Sequence, residues 1–349
     1  MIPYYDLKSI HLGEINSMKK VASEVIESGN YIFATEKFEE EFADFVGARY
    51  CVGVNSGTSA LHLALISLGI KKGDEVITVS HTFRATVAAI NYVGATPVFI
   101  DIDPETFLLD VDLVEGKITS KTKAILPVHM YGNVVNIDAL KRFNLPILED
   151  CSQAHGSYHN NKHVGSSGIG TFSFYPGKGL GALGDSGCIV VNDEGQYDEL
   201  KSLRSWDDNS IGFNYRMDNL QSEFLRIKLK NLKNIISAKN IIASKYNKYF
   251  KYSKTHIDNY NSYHIYPILV KNRIKFFNEM RDKIELKCHY ENPVHKQTPY
   301  RKLIFSKPNM FELPVTENIS SHQVSIPIYP TVNHNKVIDL IMNNKEYLL

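Results

Sequence analysis

The sequence predicts an α/β protein built on a largely parallel sheet, followed by a smaller α+β unit. Three observations lead there. Between residues 50 and about 200, short Val/Ile-rich runs alternate with helical stretches of ordinary length, the signature of successive β-α-β units. The chain has 349 residues, and at ~150 residues per domain that is a prior of about two domains. Near residue 218 the alternation gives way to one long helical pattern and then a second, shorter set of elements.

Taken in order, residues 13–29 place Ile15, Met18, Val21, Val25 and Ile26 on one helical face, with Gly29 as a stop. A second amphipathic stretch, 35–47, carries Phe38, Phe42 and Phe45 near helical spacing. Strands are expected at 50–54, 75–79, 96–101, 123–129, 145–150, 171–175 and 188–192, and helices at 59–69, 86–94 and 136–143. Over 218–254, Leu225, Leu229, Leu232, Ile236, Ala243, Tyr246 and Phe250 recur at 3.5–3.6 spacing, which reads as one long helix or two in tandem. Its nine Lys/Arg between Arg226 and Lys254 have no acidic residue to face and read as a solvated face. A strand at 264–270 and a helix from about 274 to 284 begin the smaller unit. The division expected is 1–235 for the larger domain and 236–349 for the smaller.

Composition narrows the function classes. With 39 Lys+Arg against 38 Asp+Glu the formal charge is +1, so there is no broad field to hold nucleic acid or an anionic membrane. No apolar run approaches the ~18 residues of a membrane-spanning helix, and the start, MIPYYDLKSI, does not read as a signal peptide. The four cysteines, Cys51, Cys151, Cys188 and Cys288, are far apart and read as reduced thiols in the cytoplasm.

Three segments carry chemistry. In VNSGTSALHLAL (54–65), Gly57, Thr58 and Ser59 stand just before a helix. On their own they read either as a Ser/Thr helix cap or as a phosphate cup made of free N–H groups, helix dipole and hydroxyls. Neither a Walker loop nor GxGxxG is present there. In ILEDCSQAHG (147–156), Asp150 ends an apolar strand, where α/β proteins bind ligands, though a loop-capping Asp fits equally. In TFSFYPGKGLGALGDSG (171–187), Lys178 sits inside a glycine-rich loop behind an aromatic strand. It is either a surface lysine or, if buried against a ligand, a nucleophile of lowered pKa. Cup, carboxylate and lysine together are the three anchors of pyridoxal phosphate: one for its phosphate, one for its ring nitrogen, one for a Schiff base.

The chain resembles the nucleotide-sugar aminotransferases of the DegT/StrS group. The likeness is carried by NSGTSALHLAL, GDEV, HTFRAT, GATPVFIDID, KAILPVHMYG, EDCSQAHG, FSFYPGKGLGALGDSG, GFNYRMDNLQ, CHYENPVHKQTPY and SIPIYP, in that order along residues 1–330. It implies a fold type I transferase with a mixed, mostly parallel seven-stranded sheet. Lys178 would carry pyridoxal phosphate covalently and shuttle the proton, and Asp150 would pair with the pyridine nitrogen. Gln153 would contact the ring hydroxyl and Phe83 would stack on the ring. Thr58, the Gly57–Ser59 backbone and Ser173 would bind the phosphate. Asn214 would reach the neighbouring subunit's cofactor, making the protein a homodimer with shared sites. Tyr175, His289 and Tyr290 would face the sugar.

The activity implied is transfer of an amino group from L-glutamate to a nucleotide-linked keto-sugar. FYPGK with GALGD resembles the branch that aminates C3 of a dTDP-3-keto-6-deoxyhexose; C4 amination of a GDP- or UDP-linked sugar is the runner-up. Lys178, where the dehydratase branch has histidine, argues against dehydration. Gly179, Cys151 and Ser186 depart from the family's usual residues without removing a catalytic group. A sugar-nucleotide sensor without turnover and a nicotinamide-dependent oxidoreductase are the competing classes.

Overall fold

The fold is taken from a computed structural model, which describes residues 1–32, 34–206, 211–251, 259–300 and 312–349. Its centre is a sheet of strands β1 (Tyr50–Val54), β2 (Glu75–Val79), β3 (Thr96–Ile100), β4 (Thr122–Leu126), β5 (Leu148–Asp150), β6 (Ile169–Ser173) and β7 (Gly187–Val191). The strand order is β1-β7-β6-β5 in one half and β3-β2-β4 in the other. Parallel bridges Ile125↔Ile147 and Val128↔Asp150 join the halves through β4 and β5. Only β7 runs against its neighbours, pairing antiparallel with β1 and β6. This is the mixed, mostly parallel sheet expected, and its strands are buried on both faces, as crossover helices require.

The helices form where capping and periodicity place them. Helix α1 (Ile15–Ser28) ends at Gly29 and α2 (Glu36–Val46) at Gly47, both glycines left-handed, at φ 67° and 78°. On α1 only Val25 is fully buried, and Ile26 is 62% exposed: it lies one residue past the stripe that turns inward. Phe38 and Phe42 of α2 are wholly buried and meet Phe172 and Phe174 edge to face at 5.0–5.4 Å. Helix α3 (Gly57–Ser67) is apolar around most of its circumference and is buried between sheet and outer helices. Helix α4 (Arg84–Tyr92) follows β2 and α5 (Glu194–Arg204) follows β7. The helix expected at 136–143 is one α turn, Ile137–Leu140, running into a 3₁₀ turn, Lys141–Phe143, and it stops at left-handed Asn144.

Helix α6 (Asn219–Tyr246) is one helix of 28 residues, capped by Asp218 and about 42 Å long at ~1.5 Å per residue. Residues 252–254 of the pattern lie outside the described residues. Its first part packs Leu225, Leu232 and Ile236 against the phenylalanine cluster, while Ile242, Ala243 and Tyr246 enter a second core. That core also holds strands β8 (Tyr266–Leu269) and β9 (Gln323–Ile326), helices α7 (Arg273–Met280) and α9 (His334–Met342), and Ile2 from the start of the chain. Helix α8 (Pro314–His322) returns to the larger core through Ile319. The 235/236 division therefore falls within a continuous helix.

The reading of 226–254 as a solvated basic face holds for Lys230, Lys233, Lys248 and Lys251, which are exposed, and is corrected at Arg226, Lys228 and Lys239. Arg226 pairs with Glu41 at 2.7 Å and Glu223 at 2.9 Å. Lys228 is buried and donates to the Gly181 carbonyl at 2.6 Å, and Lys239 is buried as well. Burial pulls Lys228 down to about 8 and Lys239 to about 7. No helix among the described residues is long and apolar enough to cross a membrane, and all four cysteines are free.

Candidate active site

The candidate residues collect where parallel strands end. Ser56-Gly57-Thr58 follow β1, Phe83 follows β2, Asp150 is the last residue of β5, Ser173 the last of β6, and Lys178 lies in the next loop. These carboxyl ends are where an α/β sheet offers backbone and side chains to a ligand. Asp150 is held on its backbone by the run beyond β4: its N–H donates to the Pro127 carbonyl at 3.0 Å, and its carbonyl accepts from His129 N–H at 3.1 Å.

A cavity of about 490 Å³ is lined by Gly57, Thr58, Phe83, Asp150, Gln153, Ser173, Tyr175, Lys178 and Tyr290, among others. At its floor Ser56 caps α3, accepting from Ser59 N–H at 3.1 Å. A Cβ at position 57 would lie 2.6 Å from Ser173 Cβ, so only glycine lets the helix start approach β6 this closely. Gly57→Ala is expected to push the two apart and weaken cofactor binding roughly tenfold, within the ~1–3 kcal/mol that overpacking costs. Equilibrium titration of the apoprotein measures this; an affinity within twofold of the parent's would remove the phosphate from this floor.

Asp150 accepts from Thr86 Oγ1 at 2.8 Å and from Ser152 N–H at 3.1 Å. Gln153 accepts from Tyr131 N–H at 3.0 Å and donates to Tyr290 Oη at 2.5 Å. Tyr131 and Tyr290 both hold φ near +60°. Strain of this kind collects at ligand sites, and here it sets two stacked rings, 6.2 Å apart, beside Gln153. Phe83 is 54% exposed and Tyr175 57%, large for aromatic rings and placed at the cavity wall.

A second cavity of about 480 Å³ shares Tyr175, Lys178 and Tyr290 and adds Tyr4, Tyr5, His264, Lys287 and His289. His289 accepts or donates at Ser325 Oγ, 2.7 Å away. Burial, with Lys178 and Lys287 adding to it, pulls its pKa down to about 4, so the ring is neutral at pH 7. Burial likewise lowers the Lys178 amine to about 8, with Asp150 pulling the other way.

Two residues lie apart from the rest. The Ser59 hydroxyl turns to Asn55 Oδ1 at 2.6 Å and Ser56 Oγ at 2.9 Å. Asn214 is on the surface, its carbonyl accepting from Asn55 Nδ2 at 3.3 Å. Sequence reasoning overlooked Thr86, Tyr4, His264 and Lys287. For Thr86 a signal existed: Thr82 and Thr86 stand four apart at a helix start.

The arrangement fits pyridoxal phosphate on its own chemistry. A helix start packed through glycine offers N–H groups and hydroxyls to a phosphate. A buried carboxylate whose two oxygens already have donors is suited to hold a protonated ring nitrogen, and an amine of lowered pKa lines the same space. A mixed sheet with these groups at its strand ends defines a fold type I, pyridoxal phosphate-dependent enzyme. The chain belongs to the DegT/DnrJ/EryC1/StrS aminotransferase family, whose pattern it matches over residues 13–343. It is 38% identical over 356 residues, 97% of each chain, to the dTDP-3-amino-3,6-dideoxy-alpha-D-galactopyranose transaminase of Aneurinibacillus thermoaerophilus. It is 35% identical to the GDP-perosamine synthase of Escherichia coli O157:H7, over 93% of this chain and 92% of that one. The structure of S. venezuelae DesV in complex with a ketimine intermediate superposes with a TM-score of 0.94 at 33% identity, covering 100% of this chain and 99% of DesV. The protein is thus a sugar aminotransferase.

Proposed function

We propose that the enzyme transfers the amino group of L-glutamate to C3 of a dTDP-linked 3-keto-6-deoxyhexose, giving a dTDP-3-amino-3,6-dideoxyhexose for a surface polysaccharide such as an O-antigen. The observation that carries the reading is the shared wall of the two cavities. Lys178, Tyr175 and Tyr290 face both the space containing Asp150 and the space lined by Tyr4, Tyr5, His264 and Lys287. One amine then serves two partners: the group held by Asp150 and a substrate with a ring to stack and a phosphate to pair. Pyridoxal phosphate, when bound, supplies the electron sink. Lys178 would give and take the proton, and Asp150 would keep the ring nitrogen protonated. The likeness to the Aneurinibacillus transaminase supports the dTDP-linked, C3 choice, as does Tyr175 three positions before Lys178.

C4 amination of a GDP- or UDP-linked sugar is the second reading, favoured by the likeness to the GDP-perosamine synthase. Homodimerisation, with Asn214 completing the partner's phosphate site, fits the surface position of that residue, and the cytoplasm, where sugar nucleotides are made, is the proposed location. A panel of dTDP-, UDP- and GDP-linked keto-sugars, run with glutamate and followed by 2-oxoglutarate release, tests the substrate. The dTDP-linked 3-keto sugar should give the highest kcat/KM, and a GDP- or UDP-linked 4-keto sugar ahead of it would overturn the choice. A yellow protein releasing no 2-oxoglutarate with any of them would be a sensor.

A further inference from the structure

Asp150 is not fastened by its own loop alone. Thr86, in the first turn of α4, donates its hydroxyl proton to Asp150 Oδ2 at 2.8 Å, and Thr82 Oγ1 lies 2.9 Å from Thr86 Oγ1. Thr82, Thr86 and Asp150 are 2%, 1% and 4% exposed. A carboxylate only accepts, so the single Thr86 proton is committed to Asp150, and Thr82 must then be the donor to Thr86. The protons run one way, Thr82 to Thr86 to Asp150, and in a buried setting each bond polarises the next. Ser152 N–H holds the other oxygen at 3.1 Å, so rotation of the carboxylate about its last bond breaks one bond or the other.

The cap of the helix does not need the Thr86 side chain. Phe83 at the N-cap makes no side-chain cap bond, and Thr86 N–H goes to the Phe83 carbonyl at 3.2 Å. We infer that Thr86, backed by Thr82, is a positioning residue: it orients the Asp150 carboxylate toward the ring nitrogen of the cofactor. This rests on the reading of Asp150 as the partner of that nitrogen.

Four variants test it: Thr86→Val, Thr86→Ser, Asp150→Asn and the double variant Thr86→Val/Asp150→Asn. Valine keeps the shape and removes the hydroxyl. A hydrogen bond to a charged group is commonly large enough that its loss costs roughly ten- to a hundredfold in rate. Thr86→Val should lower kcat of the glutamate half-reaction by that factor with KM changed less than about threefold. It should also weaken pyridoxal phosphate binding to the apoprotein and shift the absorbance maximum of the bound cofactor. Thr86→Ser should restore all three, and Thr86→Val should add nothing in the Asp150→Asn background. Parent-like behaviour of Thr86→Val would overturn the inference, and so would an equal loss with and without Asp150, which marks packing. If Thr86→Val does not fold, Thr82→Val takes its place, with a smaller loss of about two- to tenfold expected for a bond between neutral groups. A parent-like Thr82→Val would then overturn the relay. An Asp150→Asn enzyme within tenfold of the parent would instead sink the reading of Asp150.

Discussion

Lys178→Ala is expected to abolish transamination and leave pyridoxal phosphate bound only non-covalently. The reason lies in where the amine sits. Lys178 lines both cavities, and burial lowers its pKa to about 8, Asp150 opposing. At pH 7 roughly a tenth of such an amine is neutral, against ~0.03% for an unperturbed lysine. Only the neutral amine is a nucleophile. Cofactor attachment to the apoprotein should therefore quicken as pH rises and level off above about 8: deprotonation creates the reacting form, and a lowered pKa brings that rise nearer neutrality. Alanine has no amine to attach the cofactor and no group to shuttle the proton. Borohydride should fix the cofactor on Lys178 in the parent and fix nothing in the variant, while 2-oxoglutarate release falls to background. Full activity in Lys178→Ala would remove this lysine from the reaction.

Asp150→Asn is expected to cost several kcal/mol of transition-state stabilisation, roughly a thousandfold or more in rate. Asparagine keeps the size and can keep a bond to Ser152 N–H, but it carries no charge to hold a proton on the ring nitrogen. The change therefore tests electrostatics more than shape. Asp150 is 4% exposed, so water offers little substitute, and the interaction acts in a medium of low dielectric. Single-turnover kinetics with glutamate, beside a titration of cofactor affinity, separates the two losses. A rate within tenfold of the parent would show that the ring nitrogen is controlled elsewhere.

Much of the scaffold was legible because its signals are local. Gly29 and Gly47 stop helices through their own backbone freedom. Val/Ile runs become buried strands because β-branched side chains fill a two-sided sheet. The cup, Asp150 and Lys178 could be read for the same reason: each belongs to a short segment whose residues declare a helix start, a strand end or a glycine-rich loop. The stretch expected as a helix at 136–143 does end where left-handed Asn144 turns the chain, but only its first turn is α and its second tightens to 3₁₀.

Longer-range chemistry was hidden. Arg226 looked unpaired because one partner, Glu41, lies 185 residues away. Ser59 looked like part of the phosphate cup, yet its N–H donates to Ser56 Oγ and its hydroxyl to Asn55 Oδ1. Thr86 read as an ordinary helix residue because its acceptor is 64 residues distant.

What the sequence alone determined is the class of chemistry and the order of its residues along the chain: a glycine-containing helix start, then a carboxylate, then a lysine, on an alternating α/β framework. The tertiary structure alone decided how they meet. It brought the strand ends into one cavity and set Lys178 on the wall shared with Tyr4, Tyr5, His264, Lys287 and His289. It also placed two threonine hydroxyls behind Asp150. The physical reason is that capping, periodicity and strand propensity act over a few residues. The orientation of a buried carboxylate, by contrast, depends on which distant donors the packed sheet and helices bring within 3 Å.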